Sequence, residues 1–170
     1  KCFFNSIHLP YYILTPDYRE SSAVIRALHQ LCHYLNEIVE EAYVACNTTN
    51  PYLRTPKLND EVIHRHILTK RFPISIYPEV AHGNPLQGDI TVRWLLNKAG
   101  HLGGDKEHPA HELIFHWDEC YLTGETTQGQ LQLPVTDPNI FHRPTQGSRH
   151  GFCYYANKYL ANGNTIPDEI

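Results

Sequence analysis

Hydrophobic residues fall along this chain in short runs broken by polar loops, and their spacing switches between the strand and helix periods. Tyr11-Tyr-Ile-Leu-Thr15 is a compact apolar run that predicts a buried first strand. After the polar loop 16–22, Val24, Leu28, Leu31, Leu35 and Ile38 recur at steps of four and three, the spacing of one helix face. Ser21 or Ser22 supplies an N-cap oxygen for the open amides of the first turn. Glu41-Ala-Tyr-Val-Ala-Cys46 predicts a second strand, although no Gly, the usual helix stop, precedes it. Strand, helix and strand in such close succession form one βαβ unit, which favours a parallel sheet.

Beyond the loop 47–56, the pattern predicts a short helix over 60–68 and a third strand over 73–77. The apolar stretch Ile90–Leu96 reads as a short amphipathic helix with Asp89 as its cap. A polar loop over 98–110 carries Gly100, Gly103 and Gly104 and leads to a fourth strand, Glu112-Leu-Ile-Phe-His-Trp117. Gln130-Leu-Gln-Leu-Pro-Val135 alternates, and its Pro cannot join a central ladder, so it predicts an edge strand. Gly151-Phe-Cys-Tyr-Tyr155 reads as a last core strand. The sum is an α/β, three-layer, Rossmann-like domain with a mainly parallel sheet, expected over 1–160, and the polar tail 161–170 reads as a linker.

Composition narrows the function classes. A length of 170 residues is enough for one domain with a real core. The net charge of −4 argues against a dedicated nucleic-acid binder, which would show a basic face. The five Cys include no C-x-x-C pair, so free thiols in a reducing, cytoplasmic compartment are the simplest expectation. No apolar run is long enough to suggest a membrane span, and the start does not look like a signal peptide.

In an open α/β sheet, ligands bind beyond the carboxyl ends of the strands. The third strand feeds the turn Glu79-Val-Ala-His-Gly-Asn84 at that edge. Glu79 and His82 there suit acid–base chemistry or a grip on sugar hydroxyls, and Asn84 can donate and accept at once. The plainer reading is a turn in which Gly83 and Asn84 supply unusual backbone angles. Across the edge, the loop before the first long helix offers Arg19, Ser21 and Ser22 beside open helix amides, which attract phosphate. Ordinary capping with a solvated Arg19 is the alternative. Arg93, inside an apolar stretch, either pairs with a carboxylate, reaches a phosphate, or covers Trp94 with its stem. His116 either lines the same crevice or sits satisfied in the core. His64-x-His66 and His108-x-x-His111-Glu112 are the nearest approaches to a metal motif, and neither is H-E-x-x-H. The dinucleotide, Walker and G-x-S-x-G patterns are absent.

The segments Tyr77-Pro-Glu-Val-Ala-His-Gly-Asn-Pro-Leu86 and Val92-Arg-Trp-Leu-Leu-Asn97 resemble the amino-terminal half of bacterial GT-B glycosyltransferases that build surface polysaccharides. Tyr18-Arg-Glu-Ser-Ser22 with Ile25-Arg-Ala-Leu28, Glu112-Leu-Ile-Phe-His-Trp117 and Cys153-Tyr-Tyr155 agree with it. The resemblance implies two Rossmann-like domains across a cleft, this one mainly receiving the acceptor. The second, a carboxyl-terminal domain that binds most of the nucleotide-sugar, is absent from this sequence. It assigns the reacting hydroxyl to Glu79, His82 and Asn84. It assigns donor phosphates and other substrate contacts to Tyr18, Arg19, Ser21, Ser22, Gly83, Arg93 and His116. The implied partners are a nucleotide-sugar, used as substrate with no metal or other cofactor, and a glycan or lipid-linked acceptor. The implied location is the cytoplasm, or the inner face of the membrane for the parent enzyme. Two rivals remain: a non-catalytic carbohydrate or nucleotide binding module, and a metal-dependent hydrolase built on the His clusters.

Overall fold

The computed structural model describes residues 8–136. The chain divides into two compact units, Lys1–Val135 and Thr136–Ile170, and the architecture below is that of the first. The expected strand at 151–155 and the tail 161–170 lie outside the described residues.

Six parallel strands form one sheet in the order β2-β1-β3-β4-β5-β6. They are β1 (Tyr11–Leu14), β2 (Ala42–Ala45), β3 (Ile74–Pro78), β4 (Ile90–Leu95), β5 (Leu113–His116) and β6 (Gly129–Gln130). Two helices, α1 (Ala23–Glu37) and α2 (Asp60–Leu68), link the first three strands. The chain leaves β1 toward β2 on one side and continues from β3 on the other. The strand order therefore reverses between β1 and β3, where open sheets of this kind hold their ligands.

The pairing register explains the layers. Side chains alternate across a strand, so Ile13, Val44, Ile76, Val92, Trp94 and Phe115 share one face. That face meets Ala27, Leu28, Leu31 and Cys32 of α1 in the hydrophobic core. The opposite face carries Tyr12, Tyr43, Ser75, Tyr77, Thr91, Arg93 and His116. There α2 covers β1 and β2 by stacking His66 on Tyr12, while loops cover β3 and β4. One face is apolar, and the other mixes these polar groups with buried Leu95 and Ile114.

The expected helix over 90–96 is a strand, the most consequential correction in the fold. Thr91, Val92, Arg93 and Trp94 alternate with a period of two, polar toward the loops and apolar toward α1. Thr and Val at its start favour a pleated backbone over a helix. The edge strand is also shorter than its alternation suggests, because pairing ends near Leu131. Leu131, Leu133 and Val135 pack against the core, where the Trp94 indole donates to the Leu131 carbonyl at 3.1 Å.

The missing Gly after the first helix has a visible consequence. Val39 takes the left-handed conformation there, with φ 68°, and the Glu40 N–H donates to the Leu35 carbonyl at 2.9 Å. A β-branched residue strains that conformation by about 1–2 kcal/mol. Its side chain is 89% exposed, so little packing opposes a change. Val39→Gly is expected to stabilise the protein by about 0.5–1 kcal/mol, less than the strain relieved because Gly gains unfolded entropy. Urea unfolding of the two proteins checks it, and a lower midpoint for the variant refutes it.

At the amino edge, Glu41 gathers the chain. Its carboxylate accepts from the Tyr43 hydroxyl at 2.7 Å, from Arg65 at 2.9 Å, from His66 Nε2 at 2.9 Å and from Arg71. A carboxylate only accepts, so Nε2 carries the His66 proton and the Tyr12 hydroxyl donates to Nδ1 at 2.7 Å. Burial opposes ionisation of Glu41, but the bonds from Tyr43, Arg71 and His66 outweigh it and hold the carboxyl down at about 2. The folded value lies below the unfolded one. The stabilisation is therefore complete above roughly pH 4.5 and is lost as pH falls toward 2. Allowing for solvent screening, it amounts to about 1–2 kcal/mol. Glu41→Gln is expected to lower stability by that amount at neutral pH and by progressively less as the pH drops, read from urea midpoints across the range.

Candidate functional site

Three of the loops at the carboxyl edge carry the candidate residues. The first, after β1, is fixed from outside. The Asp17 carboxylate accepts the Asn47 and Thr48 N–H groups at 2.7 and 2.9 Å, and the Tyr18 N–H donates to the Thr48 carbonyl at 2.9 Å. The Tyr18 ring packs edge-on against buried His29, whose Nε2 donates to the Pro16 carbonyl at 3.2 Å. Burial pushes His29 below its ordinary range, so it stays neutral. Ser22 is the N-cap of α1 and accepts the Ile25 N–H at 3.4 Å, while Arg19 and Ser21 are exposed. Ser22 thus has a structural task, and Arg19 and Ser21 face solvent beside open helix amides.

The second loop, after β3, holds most of the candidates, and the structure separates their roles. Glu79 is buried, and its carboxylate accepts the Leu96 N–H at 3.0 Å. Burial raises its pKa above the usual carboxylate range. Asn84 staples its own loop. Its Oδ1 accepts from the Tyr77 hydroxyl at 2.6 Å and the Gly88 N–H at 3.1 Å, and its Nδ2 donates to the Gly88 carbonyl at 2.9 Å. Gly88 can sit there because any Cβ would collide with Ser75 Oγ at 2.2 Å.

Arg93 has a different role from the substrate contact expected of it. It is fully buried, and all five of its N–H groups are consumed. It grips Glu112 through two bonds of 3.0 Å, and donates to the carbonyls of Pro78, Ala81 and Gly83 at 3.4, 2.9 and 3.0 Å. Its guanidinium also lies over the Tyr77 ring, 5.2 Å from the centroid. Arg93 therefore shapes the loop through bonds to protein groups. His108 packs beside this pair with no hydrogen-bond partner among the described residues, and burial together with Arg93 pushes its pKa down.

The third loop, between β4 and β5, clamps the second from above. Gly104, at φ +78°, lies against the Glu79–Val80 peptide, where a Cβ would stand 2.1 Å from the Glu79 oxygen. That close approach delivers Asp105. One Asp105 oxygen meets His82 Nδ1 at 2.8 Å, and the other accepts the Gly83 N–H at 2.8 Å. The bonds from Gly83 and His82 hold the Asp105 carboxyl below its usual range. Gly83 is thus fixed on both sides, its N–H by Asp105 and its carbonyl by Arg93. The His82 side chain is 74% exposed, and its Nε2 makes no hydrogen bond among the described residues.

A pocket of about 140 Å³ lies between Ala23, Val24 and Ala27 of α1 and Leu96, Trp117 and Tyr121 at the ends of β4 and β5. Leu96 joins that pocket to buried Glu79. His116 stands on the polar face level with Leu95, buried, with Nδ1 lacking a partner among the described residues. Asp105 was not legible as a site residue, because the bond that recruits it spans 23 positions and only its Gly-rich neighbourhood hinted at a close approach.

The His clusters do not converge. His66 is committed to Tyr12 and Glu41 while His64 is exposed, and His108 is buried while His111 is exposed. Among the described residues, no group of three or more His, Cys, Asp or Glu side chains is placed to hold a metal ion. No helix among them is long and apolar enough to cross a membrane. No family model, no curated protein and no solved structure matches the chain.

Proposed function

We propose that this domain is the acceptor-side half of a glycosyltransferase that moves a sugar from a nucleotide-sugar to a hydroxyl of a glycan or lipid-linked acceptor. The observation that carries the reading is His82: an exposed imidazole on a loop gripped from below by Arg93 and from above by Asp105. It stands at the carboxyl edge of a parallel sheet, after the strand that flanks the switch point. A base for a hydroxyl needs a free ring nitrogen in a fixed position, and His82 has both. The N-terminus of α1 follows β1 at the same carboxyl edge of the sheet, where open amides and Arg19 suit the donor's phosphates. Glu79 and Asn84 act on this reading as supports of the loop, and a nucleotide-sugar-binding domain completes the cleft.

The test is consumption of UDP-, GDP-, dTDP- and CMP-sugars by the complete reading frame, offered mixed oligosaccharide and polyprenol-linked acceptors. Release of nucleotide that depends on acceptor supports the reading. A reading frame that ends near Ile170, and whose product binds these nucleotide-sugars without releasing nucleotide, supports the binding module instead.

A further inference from the structure

In a βαβ unit the helix runs back against the strands. The carboxyl ends of α1 and α2 therefore arrive at the amino edge of the sheet, opposite the candidate site. Exposed large apolar residues gather at that edge. Ile38 and Val39 follow α1, Ile67 and Leu68 end α2, and Phe72 leads into β3, and each is between 56 and 89% exposed. β2 and β3 flank β1, so Val39 and Phe72 lead into strands about 10 Å apart. Arg71 ties the three strand starts together. It donates to the His8 carbonyl before β1 at 2.7 and 3.0 Å and to the Glu41 carboxylate before β2.

The same edge holds backbone strain. Val39 after α1 and Lys70 after α2 are both left-handed, with φ 68° and 54°, at turns where Gly would be unstrained. The exposed Val39 side chain returns little packing within this chain. Strain that the fold itself does not use points to a use outside it.

We propose that this amino edge is the interface of a dimer with a second copy of this chain, related by a two-fold axis. The proposal does not depend on the glycosyltransferase reading. Scattered singly, apolar residues on a surface need no partner. Gathered here, the five expose roughly 700 Å², against about 800 Å² for one partner's share of a standard interface. The charges favour a copy over a lipid surface. Arg65 and Arg71 hold Glu41, Arg54 holds Glu37, and Glu40 and Asp89 at the same edge offset Lys70. An edge so balanced has little pull on an anionic bilayer, whereas a patch carrying both signs can face itself. Joined there, the two copies turn their carboxyl edges outward, and both candidate sites stay open.

Sedimentation equilibrium of this chain from about 1 to about 200 µM tests the proposal, and a reversible monomer–dimer equilibrium is expected in that range. Leu68→Lys places a charge in the contact and should raise the dissociation constant about tenfold or more. Val39→Gly should also weaken the dimer, while raising the urea midpoint of the dilute, monomeric chain. A purely structural valine would not give these opposite signs. Both side chains are exposed, so both variants should fold. A chain that stays monomeric at about 200 µM overturns the proposal. Binding of that monomer to phosphatidylglycerol vesicles would reassign the edge to a membrane. A dimer that neither substitution weakens overturns the proposal as well, because the contact then lies elsewhere.

Discussion

Replacing Arg93 by methionine is expected to cost this protein about 3–5 kcal/mol, the range for breaking a buried ion pair from one side. The side chain has no solvent exposure, and its Glu112 partner is only 3% exposed. Methionine fills much of the same volume and keeps the stem packed, so lost packing contributes little. What remains is a buried carboxylate with no cation and three loop carbonyls with no donor, each of which burial penalises. For a chain of this size, such a loss lowers the melting temperature by about 10–15 °C. A second substitution isolates the cause. Glu112→Gln in the Arg93→Met background removes the orphaned charge and is expected to recover part of the loss, whereas Glu112→Gln alone destabilises. If the double variant is instead the sum of the two single ones, the cost lies elsewhere than in the unpaired carboxylate.

Local sequence marks some of these features and hides others. The sheet was legible where a strand is apolar throughout, as at β1, β2 and β3, because a buried parallel strand looks like a short hydrophobic run. β4 was misread because its polar face binds loops rather than solvent. Arg93 in an apolar stretch looked like one polar stripe of a helix, when it was one step of an alternation facing Glu112 and three carbonyls. The helix stop at Val39 was illegible for a related reason: a left-handed valine has no propensity signal and is held by its surroundings. The turn at 79–84 could be placed at the carboxyl edge from its position after an apolar run. How Glu79, Asn84 and Arg93 divide their bonds could not, because each partner lies on another segment. Asp105 is the clearest case. A carboxylate in a Gly-rich loop has no local mark of function, and only the fit of Gly104 against the Glu79 peptide brings it to His82.

His82→Ala is expected to separate catalysis from folding as sharply as Arg93→Met joins them. The ring is mostly solvent-exposed and contributes one exposed hydrogen bond to Asp105, which water readily replaces. Gly83 keeps its own bonds to Asp105 and Arg93 when the imidazole is gone, so the loop retains its path. The melting temperature of this chain should therefore fall by no more than about 3 °C. If the proposed glycosyltransferase reading holds, loss of a positioned base should lower kcat of the complete enzyme by about 10²–10⁴-fold, while KM for the nucleotide-sugar stays nearly constant, because on that reading the imidazole acts on the acceptor and not on the donor. The contrast with Glu79→Gln is informative. That change removes the charge from a buried carboxylate while an oxygen can still accept the Leu96 N–H, so it should disturb the rim modestly and leave most of the transfer rate. A rate that survives His82→Ala but collapses with Glu79→Gln would move the base one strand-end inward. The buried carboxyl, with its raised pKa, would then be the group that takes the proton.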